Sequence, residues 1–309
     1  LLKWSMKQTK FHTISGTTSL VGVLGDPIGH SLSPVIHNAA LAEMGLNWCY
    51  LAIPCKSNDL RLVTDALKRT NCKGLNITIP HKIDVMKLCN KINQMAKEIG
   101  AVNTLIPDKN NNWIGENTDI KGFIKPLEEK GTWAGKTALI LGTGGSARAV
   151  ALGLKKLNIY KIIVVGRTEN KLNTFIKSLK NQQTIKSSNE ILGIVQTNAN
   201  SKDYIQMADL IINATPAGMY DKSAQNIKSI FPFDEIFWET LDAKSTLYDL
   251  IYNPRPTEWL KLGRKRGCDC IDGLEMLIQQ GAASLKLWSG FEEIPIDIMR
   301  GAAIEHLTK

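Results

Sequence analysis

What the chain lacks narrows its class first. No apolar run exceeds strand length (residues 138–141 and 162–165 are typical), whereas a membrane span needs about 20 such residues. The lysines before Leu20 are followed by no apolar h-region, so no signal peptide is expected. The six cysteines, at 49, 55, 72, 89, 268 and 270, form no C-x-x-C pair, and Cys268-Asp269-Cys270 is too tight for a zinc knuckle. Buried free thiols in a reducing cytosol are expected, with no metal site. Aromatics are only 6%, and none is interleaved with a basic stripe, so nucleobases have no stacking platform. No internal repeat is visible.

What remains is the composition of a globular protein. The 309 residues are 43% hydrophobic and 22% charged, enough for a sizeable core and, at ~150 residues each, about two domains. Lys and Arg number 38 against 29 Asp and Glu, a formal net charge of +9. That surplus calls for anionic partners. The densest basic run, 261–266, is short and the other cations are scattered. Small anions are therefore expected rather than nucleic acid or a membrane.

Strand and helix patterns alternate from Leu20 onward, which defines an α/β protein built on parallel sheet. Strands are expected at 19–24, 48–53 and 74–78, with short ones at 102–107 and 113–116. Helices are expected from Pro34 to Gly45, over 58–69, from Pro80 to near Leu88, over 94–99 and over 120–130. A new βαβ unit then starts with strand 137–141, helix 148–157 and strand 161–165. The domain boundary is set at helix 120–130. The polar stretch 177–201 reads as a helix end, a short edge strand and loops.

Between strand 137–141 and its helix lies Gly142-Thr143-Gly144-Gly145-Ser146-Ala147, a G-x-G-x-x-A pattern. The first glycine permits a tight turn, the second admits a pyrophosphate, and the small Ala147 lets helix and strand pack closely. The pyrophosphate would meet free amides at the positive end of the helix. An NAD site places Asp or Glu at the end of the next strand. Here Gly166-Arg167-Thr168 stands there, with Lys171 four residues beyond Arg167. A guanidinium suits a 2′-phosphate, which favours NADP. Glu169 leaves room for NAD.

Three further segments carry candidate chemistry. In His30-Ser31-Leu32-Ser33-Pro34, Ser33 reads as an N-cap and Pro34 as N1. Ser31 is then unexplained, and two hydroxyls beside free helix amides suit a carboxylate. Lys82, after Asn76-Ile77-Thr78-Ile79-Pro80-His81, is expected in the first turn of a helix, where a cation opposes the macrodipole. Such an unfavourable placement points to function, acid/base chemistry in particular. His81 beside it reads as a surface residue. Asp119 either caps the helix after it or pairs with Lys82 across the first domain.

These segments, together with Gly100-Ala101-Val102-Asn103-Thr104, Asn117-Thr118-Asp119, Asn213-Ala214-Thr215-Pro216-Ala217-Gly218-Met219, Tyr252-Asn253-Pro254 and Asp272-Gly273-Leu274-Glu275-Met276-Leu277, resemble the shikimate dehydrogenase family. The matches run in the family's order from about Val21 to Trp288. The resemblance implies reversible NADPH-dependent reduction of 3-dehydroshikimate to shikimate, in the cytoplasm, by a monomer or homodimer. It implies a substrate domain of residues 18–120 plus 275–309, a Rossmann NADP-binding domain of 121–274, a cleft between them, and an N-terminal extension of 1–17. Lys82 and Asp119 match the catalytic pair. Ser31, Ser33, Asn76, Thr78, Asn103, Tyr252 and Gln280 match substrate-binding positions. Gly142 to Ala147, Arg167, Thr168, Lys171, Thr215, Met219, Gly273 and Met276 match the cofactor side. Two departures soften the 2′-phosphate clamp without inverting its charge: Gly166 replaces a frequent Asn, and Lys171 a frequent Arg. A quinate or dual quinate/shikimate dehydrogenase shares the same chassis, as does a catalytically idle binder of metabolite or dinucleotide.

Overall fold

A computed structural model describes residues 14–180, 190–195, 201–221, 226–227 and 235–308. Most of the expected N-terminal extension and parts of the polar 177–201 stretch lie outside the described residues.

The first half of the chain builds β1 (Ser19–Gly25), α1 (Ser33–Glu43), β2 (Trp48–Pro54), α2 (Leu60–Leu67), β3 (Cys72–Ile77), β4 (Lys91–Ile92), α3 (Gln94–Ile99), β5 (Thr104–Pro107) and β6 (Trp113–Glu116). The strands form one sheet in the order β2-β1-β3-β5-β6-β4. Strand β1 runs parallel to β2 and β3, but β5 is antiparallel to both β3 and β6. The parallel sheet expected from strand–helix alternation is therefore mixed here. A parallel β5–β6 pair would need a crossover of about a dozen residues, and the link is far shorter. Asp108 ties that link into a hairpin by accepting from the Asn110 and Asn112 amides, both at 2.8 Å.

The second sheet follows α4 (Asp119–Glu128). It is formed by β7 (Thr137–Leu141), α5 (Gly145–Lys156), β8 (Lys161–Gly166), α6 (Glu169–Lys180), β9 (Glu190–Val195), α7 (Ser201–Gln206) and β10 (Leu210–Asn213). After a small hairpin of β11 (Tyr220–Asp221) and β12 (Asn226–Ile227) come α8 (Glu235–Thr240), β13 (Thr246–Asp249), α9 (Glu258–Lys265) and β14 (Asp269–Ile271). Its order is β14-β13-β10-β7-β8-β9, parallel throughout. This is the doubly wound dinucleotide-binding order. Strand β7 is apolar without alternation because helices cover both its faces. Ala138 and Ile140 join a core with Phe123 and Val150, while Leu139 and Leu141 join another with Phe237 and Trp259.

The chain ends in α10 (Leu274–Ser289) and α11 (Ile296–Leu307), which return to the first sheet. Leu274, Ile278, Ala282 and Leu285 of α10 pack into one core with Val21, Val23, Ile36 and Leu41.

The α-helix expected from Pro80 is not there. Turns lead instead into a short 3-10 segment at Asp84–Leu88. The Lys82 carbonyl accepts from the Val102 amide at 2.8 Å, and the Met86 amide turns to Ile83 at 3.3 Å. With that acceptor taken by a neighbouring segment, the i to i+4 ladder cannot propagate. Lys82 therefore owes nothing to a helix macrodipole. His81 is buried rather than on the surface; its Nε2 donates to the Cys55 carbonyl at 2.6 Å, pinning the Lys82 turn to the end of β2.

Candidate active site

Each sheet has a switch point, where neighbouring strands send their connections in opposite directions and open a crevice at their carboxyl ends. In the first sheet it lies between β1 and β3, in the second between β7 and β10. A cavity occupies each.

The cavity at the first sheet has a volume of about 300 Å³ and is lined by Ser31, Ser33, Asn76, Thr78, Asn103, Tyr252 and Gln280 together with Lys82 and Asp119. All nine expected substrate and catalytic positions thus meet around one small space. Thr215, Met219, Gly273 and Met276 line its other side. Ser33 is the first helical residue of α1 and makes no side-chain cap. The Ser31 hydroxyl accepts from the Ser33 amide at 3.2 Å, so it is Ser31 that satisfies a free donor there.

Lys82 Nζ lies 2.5 Å from Asp119 Oδ2, and both side chains are largely buried. Asp119 is not spent on capping its helix. Its other oxygen accepts from Asn103 Nδ2 at 2.7 Å, and its amide donates to Asn117 Oδ1 at 3.0 Å. The side-chain oxygen of Asn103, Oδ1, accepts from the Thr118 amide at 2.8 Å. Asn103 thereby fixes the carboxylate that orients the lysine.

Beneath the pair lies a buried polar floor that sequence reading did not find. The Tyr50 hydroxyl donates to Asn76 Oδ1 at 2.7 Å, and Asn76 Nδ2 donates to Ser284 Oγ at 2.9 Å. Thr104 and Thr118 hydroxyls lie 2.9 and 3.1 Å from the same Ser284 oxygen. The only trace in sequence is that Ser284 falls one helical step after Gln280. Behind Tyr50, His37 stacks at 4.0 Å between ring centroids and shares its Nδ1 with the Ser33 carbonyl at 2.8 Å. Burial pushes the His37 imidazole down to about 4.

The second cavity, about 800 Å³, is lined by Gly142, Thr143, Gly144, Gly145, Ser146, Arg167, Thr168, Lys171 and Thr215 among others. Ala147 does not reach it, being fully buried in the α5 core. Gly142 has φ +107, a conformation that favours glycine. Gly144 faces open space, with nothing within 4 Å of where a Cβ would stand. The lining includes three cations, Lys82, Arg167 and Lys171, and no acidic residue. Arg167 and Lys171 are exposed and have no ion-pair partner among the described residues. Backbone room, helix amides and unpaired cations together fit a phosphorylated dinucleotide. The two cavities share a wall of Ile79, Lys82, Ser146, Ala214, Thr215 and Pro216.

The wall is braced from behind. Asp249, at the end of β13 and wholly buried, accepts from Asn213 Nδ2 at 2.9 Å, the Ile251 amide at 3.1 Å and the Thr257 hydroxyl at 2.7 Å. Asn213 in turn accepts from the Thr215 amide and hydroxyl at 3.0 and 2.7 Å. Burial pushes the Asp249 carboxyl up to about 7.

A dinucleotide crevice that opens through a buried lysine–carboxylate pair into a small polar cavity defines a dinucleotide-dependent oxidoreductase of small molecules. Comparison with known proteins narrows the class. Family profiles match at 23–105 (shikimate dehydrogenase substrate binding domain), 127–231 (shikimate / quinate 5-dehydrogenase) and 273–304 (shikimate 5'-dehydrogenase C-terminal domain). The shikimate dehydrogenase (NADP(+)) of Prochlorococcus marinus subsp. pastoris is 46% identical, over 95% of this chain and 100% of that one. The enzyme of the same name from Synechocystis sp. is 46% identical over 96% and 99%. A crystal structure of a shikimate dehydrogenase in complex with NADP+ superposes with a TM-score of 0.83 at 38% identity, covering 96% and 98%. The chain belongs to the shikimate dehydrogenase family.

Proposed function

We propose that this chain catalyses the reversible NADPH-dependent reduction of 3-dehydroshikimate to shikimate, the reaction that leads toward chorismate and the aromatic amino acids. The observation that carries this reading is the Lys82–Asp119 pair at the waist between the two cavities. A nicotinamide cofactor held in the larger cavity, with its ring reaching the smaller one past Thr215, would supply or take up a hydride. The chain's own residues do the rest. Ser31 and Ser33 hold the substrate carboxylate, and Asn76, Thr78, Asn103, Tyr252 and Gln280 take its hydroxyls. Lys82 donates a proton to the oxygen that forms at the reduced carbon, and Asp119, oriented by Asn103, holds the amine in place. The return reaction moves the proton back to Lys82.

Gly142 to Ser146 receive the pyrophosphate, and Arg167, Thr168 and Lys171 the 2′-phosphate. Thr215, Met219, Gly273 and Met276 border the nicotinamide. Residues 18–120 with 275–309 act as the substrate unit and 121–274 as the nucleotide unit, closing on each other to exclude water. The enzyme works in the cytoplasm, as a monomer or homodimer. Steady-state kcat/KM for shikimate and quinate, each with NADP+ and NAD+, tests the reading. Shikimate with NADP+ is expected to give the highest value, and preference for quinate would overturn it.

A further inference from the structure

The dinucleotide motif leaves one of its glycines unexplained. Gly142 meets the turn's positive φ, and Gly144 faces the open cavity in an extended conformation, φ −78 and ψ −174, that any residue adopts. Gly145 occupies a free position of G-x-G-x-x-A. It opens α5 and has no positive φ, so its backbone does not demand glycine. At a helix start of ordinary geometry, alanine is the more favourable residue.

What does demand it is a neighbour from the other sheet. A Cβ on Gly145 would stand 3.3 Å from both Cβ and Cδ of Lys82, tighter than ordinary van der Waals contact. Lys82 has little room to retreat. Its amine is held by Asp119 at 2.5 Å, its carbonyl by the Val102 amide at 2.8 Å, and the preceding His81 by the Cys55 carbonyl at 2.6 Å. The stem of the lysine is thus strung between fixed ends, with the glycine loop lying against its middle.

We infer that Gly145 is a positioning residue for the catalytic lysine: its missing side chain lets the nucleotide loop press against the Lys82 stem without moving the amine off Asp119. The inference rests on the role given to Lys82 above. Adjacent glycines then guard different things, Gly144 the space of the dinucleotide and Gly145 the place of the lysine. Added bulk at Gly145 bends the stem by a few tenths of an ångström at Cβ and Cδ and carries the amine further. Misplacement on the order of 1 Å costs up to about a hundredfold in rate.

The test uses the full chain carrying Gly145→Ala, Gly144→Ala, Lys82→Ala or Gly145→Ala with Lys82→Ala. Shikimate oxidation with saturating NADP+, NADPH affinity by fluorescence titration and thermal unfolding are measured on each. Gly145→Ala should lower kcat roughly tenfold, leave NADPH affinity within about twofold and leave Tm unchanged or slightly raised. Gly144→Ala, which adds bulk to the open dinucleotide space, should weaken NADPH binding far more than Gly145→Ala does. In the double variant Gly145→Ala should cost no kcat beyond Lys82→Ala: the Cβ contact at residue 82 persists, but the amine that it would displace is gone. An unchanged kcat in Gly145→Ala, a fall matched by lost NADPH affinity, or additive losses in the double variant would each overturn the inference. Full activity in Lys82→Ala would instead overturn the proposed function, and this inference with it.

Discussion

The two cavities do the work of one active site, yet they are made of different material. The smaller is backed by buried side chains locked to one another, from Tyr50 through Asn76 and Ser284 to Thr118 and Asn103. The larger is lined by the glycine-rich turn and apolar neighbours, with Arg167 and Lys171 standing exposed. A rigid, desolvated polar floor discriminates hydroxyl patterns strongly, because any mismatch strands a buried donor or acceptor. A backbone cradle with solvated cations grips a phosphate firmly but tolerates the loss of any single side chain. Replacements should therefore hurt far more at the first cavity than at the second.

The largest effect is expected at the waist. Lys82→Ala should lower kcat on the order of a thousandfold while KM for shikimate changes much less; a change confined to KM would remove Lys82 from the proton-transfer step. Next comes Asn103→Ala, which frees the Asp119 carboxylate. Losing a buried hydrogen bond to a charged group should cost about 2 kcal/mol, read as roughly a thirtyfold fall in kcat/KM. Arg167→Ala should raise KM for NADP+ about tenfold and leave KM for NAD+ unchanged, an effect that shrinks with added salt. If that loss rivalled Lys82→Ala, the contrast between the two cavities would collapse.

The effect that touches activity least concerns stability, and its sign follows from burial. His37 has its imidazole lowered to about 4 in the folded chain, against about 6.5 unfolded. The unfolded chain therefore takes up a proton that the folded chain refuses, so stability is full above 6.5 and is lost as pH falls toward 4. The shift corresponds to something on the order of 3 kcal/mol. Asp249 contributes the opposite slope in the second sheet: its raised carboxyl makes the folded chain the better proton binder, so stability falls as pH rises from about 4 to 7. Melting curves of His37→Gln between pH 4 and 7 should lack most of the acid-side decline that the unaltered chain shows.

Much of this was legible in the sequence, for local reasons. Strand 137–141, its glycine turn and helix α5 announce themselves because propensity, turn chemistry and packing agree there. The candidate site residues are grouped in short blocks at strand ends, and the structure brings them to two neighbouring spaces. The failures share a cause. Lys82 looked helical because its neighbours in sequence permit a helix, but Val102, from a distant segment, takes its carbonyl. His81 looked exposed until the Cys55 carbonyl supplied a buried partner. The antiparallel β3–β5 pairing and the Ser284 floor likewise depend on contacts between segments far apart in the chain, which no local pattern carries.

The wall that the cavities share has a pharmacological consequence. Because Lys82, Ser146 and Thr215 border both spaces, a ligand need not choose between them. A single compound bearing a hydroxylated carboxylate at one end and a phosphorylated group at the other could run past the lysine and fill both. Tethering makes the second engagement intramolecular, so the two binding contributions reinforce each other through effective concentration. Such a bridging inhibitor would exploit a passage that enzymes holding only the dinucleotide half do not possess, and its selectivity would reside in the waist rather than in either chamber.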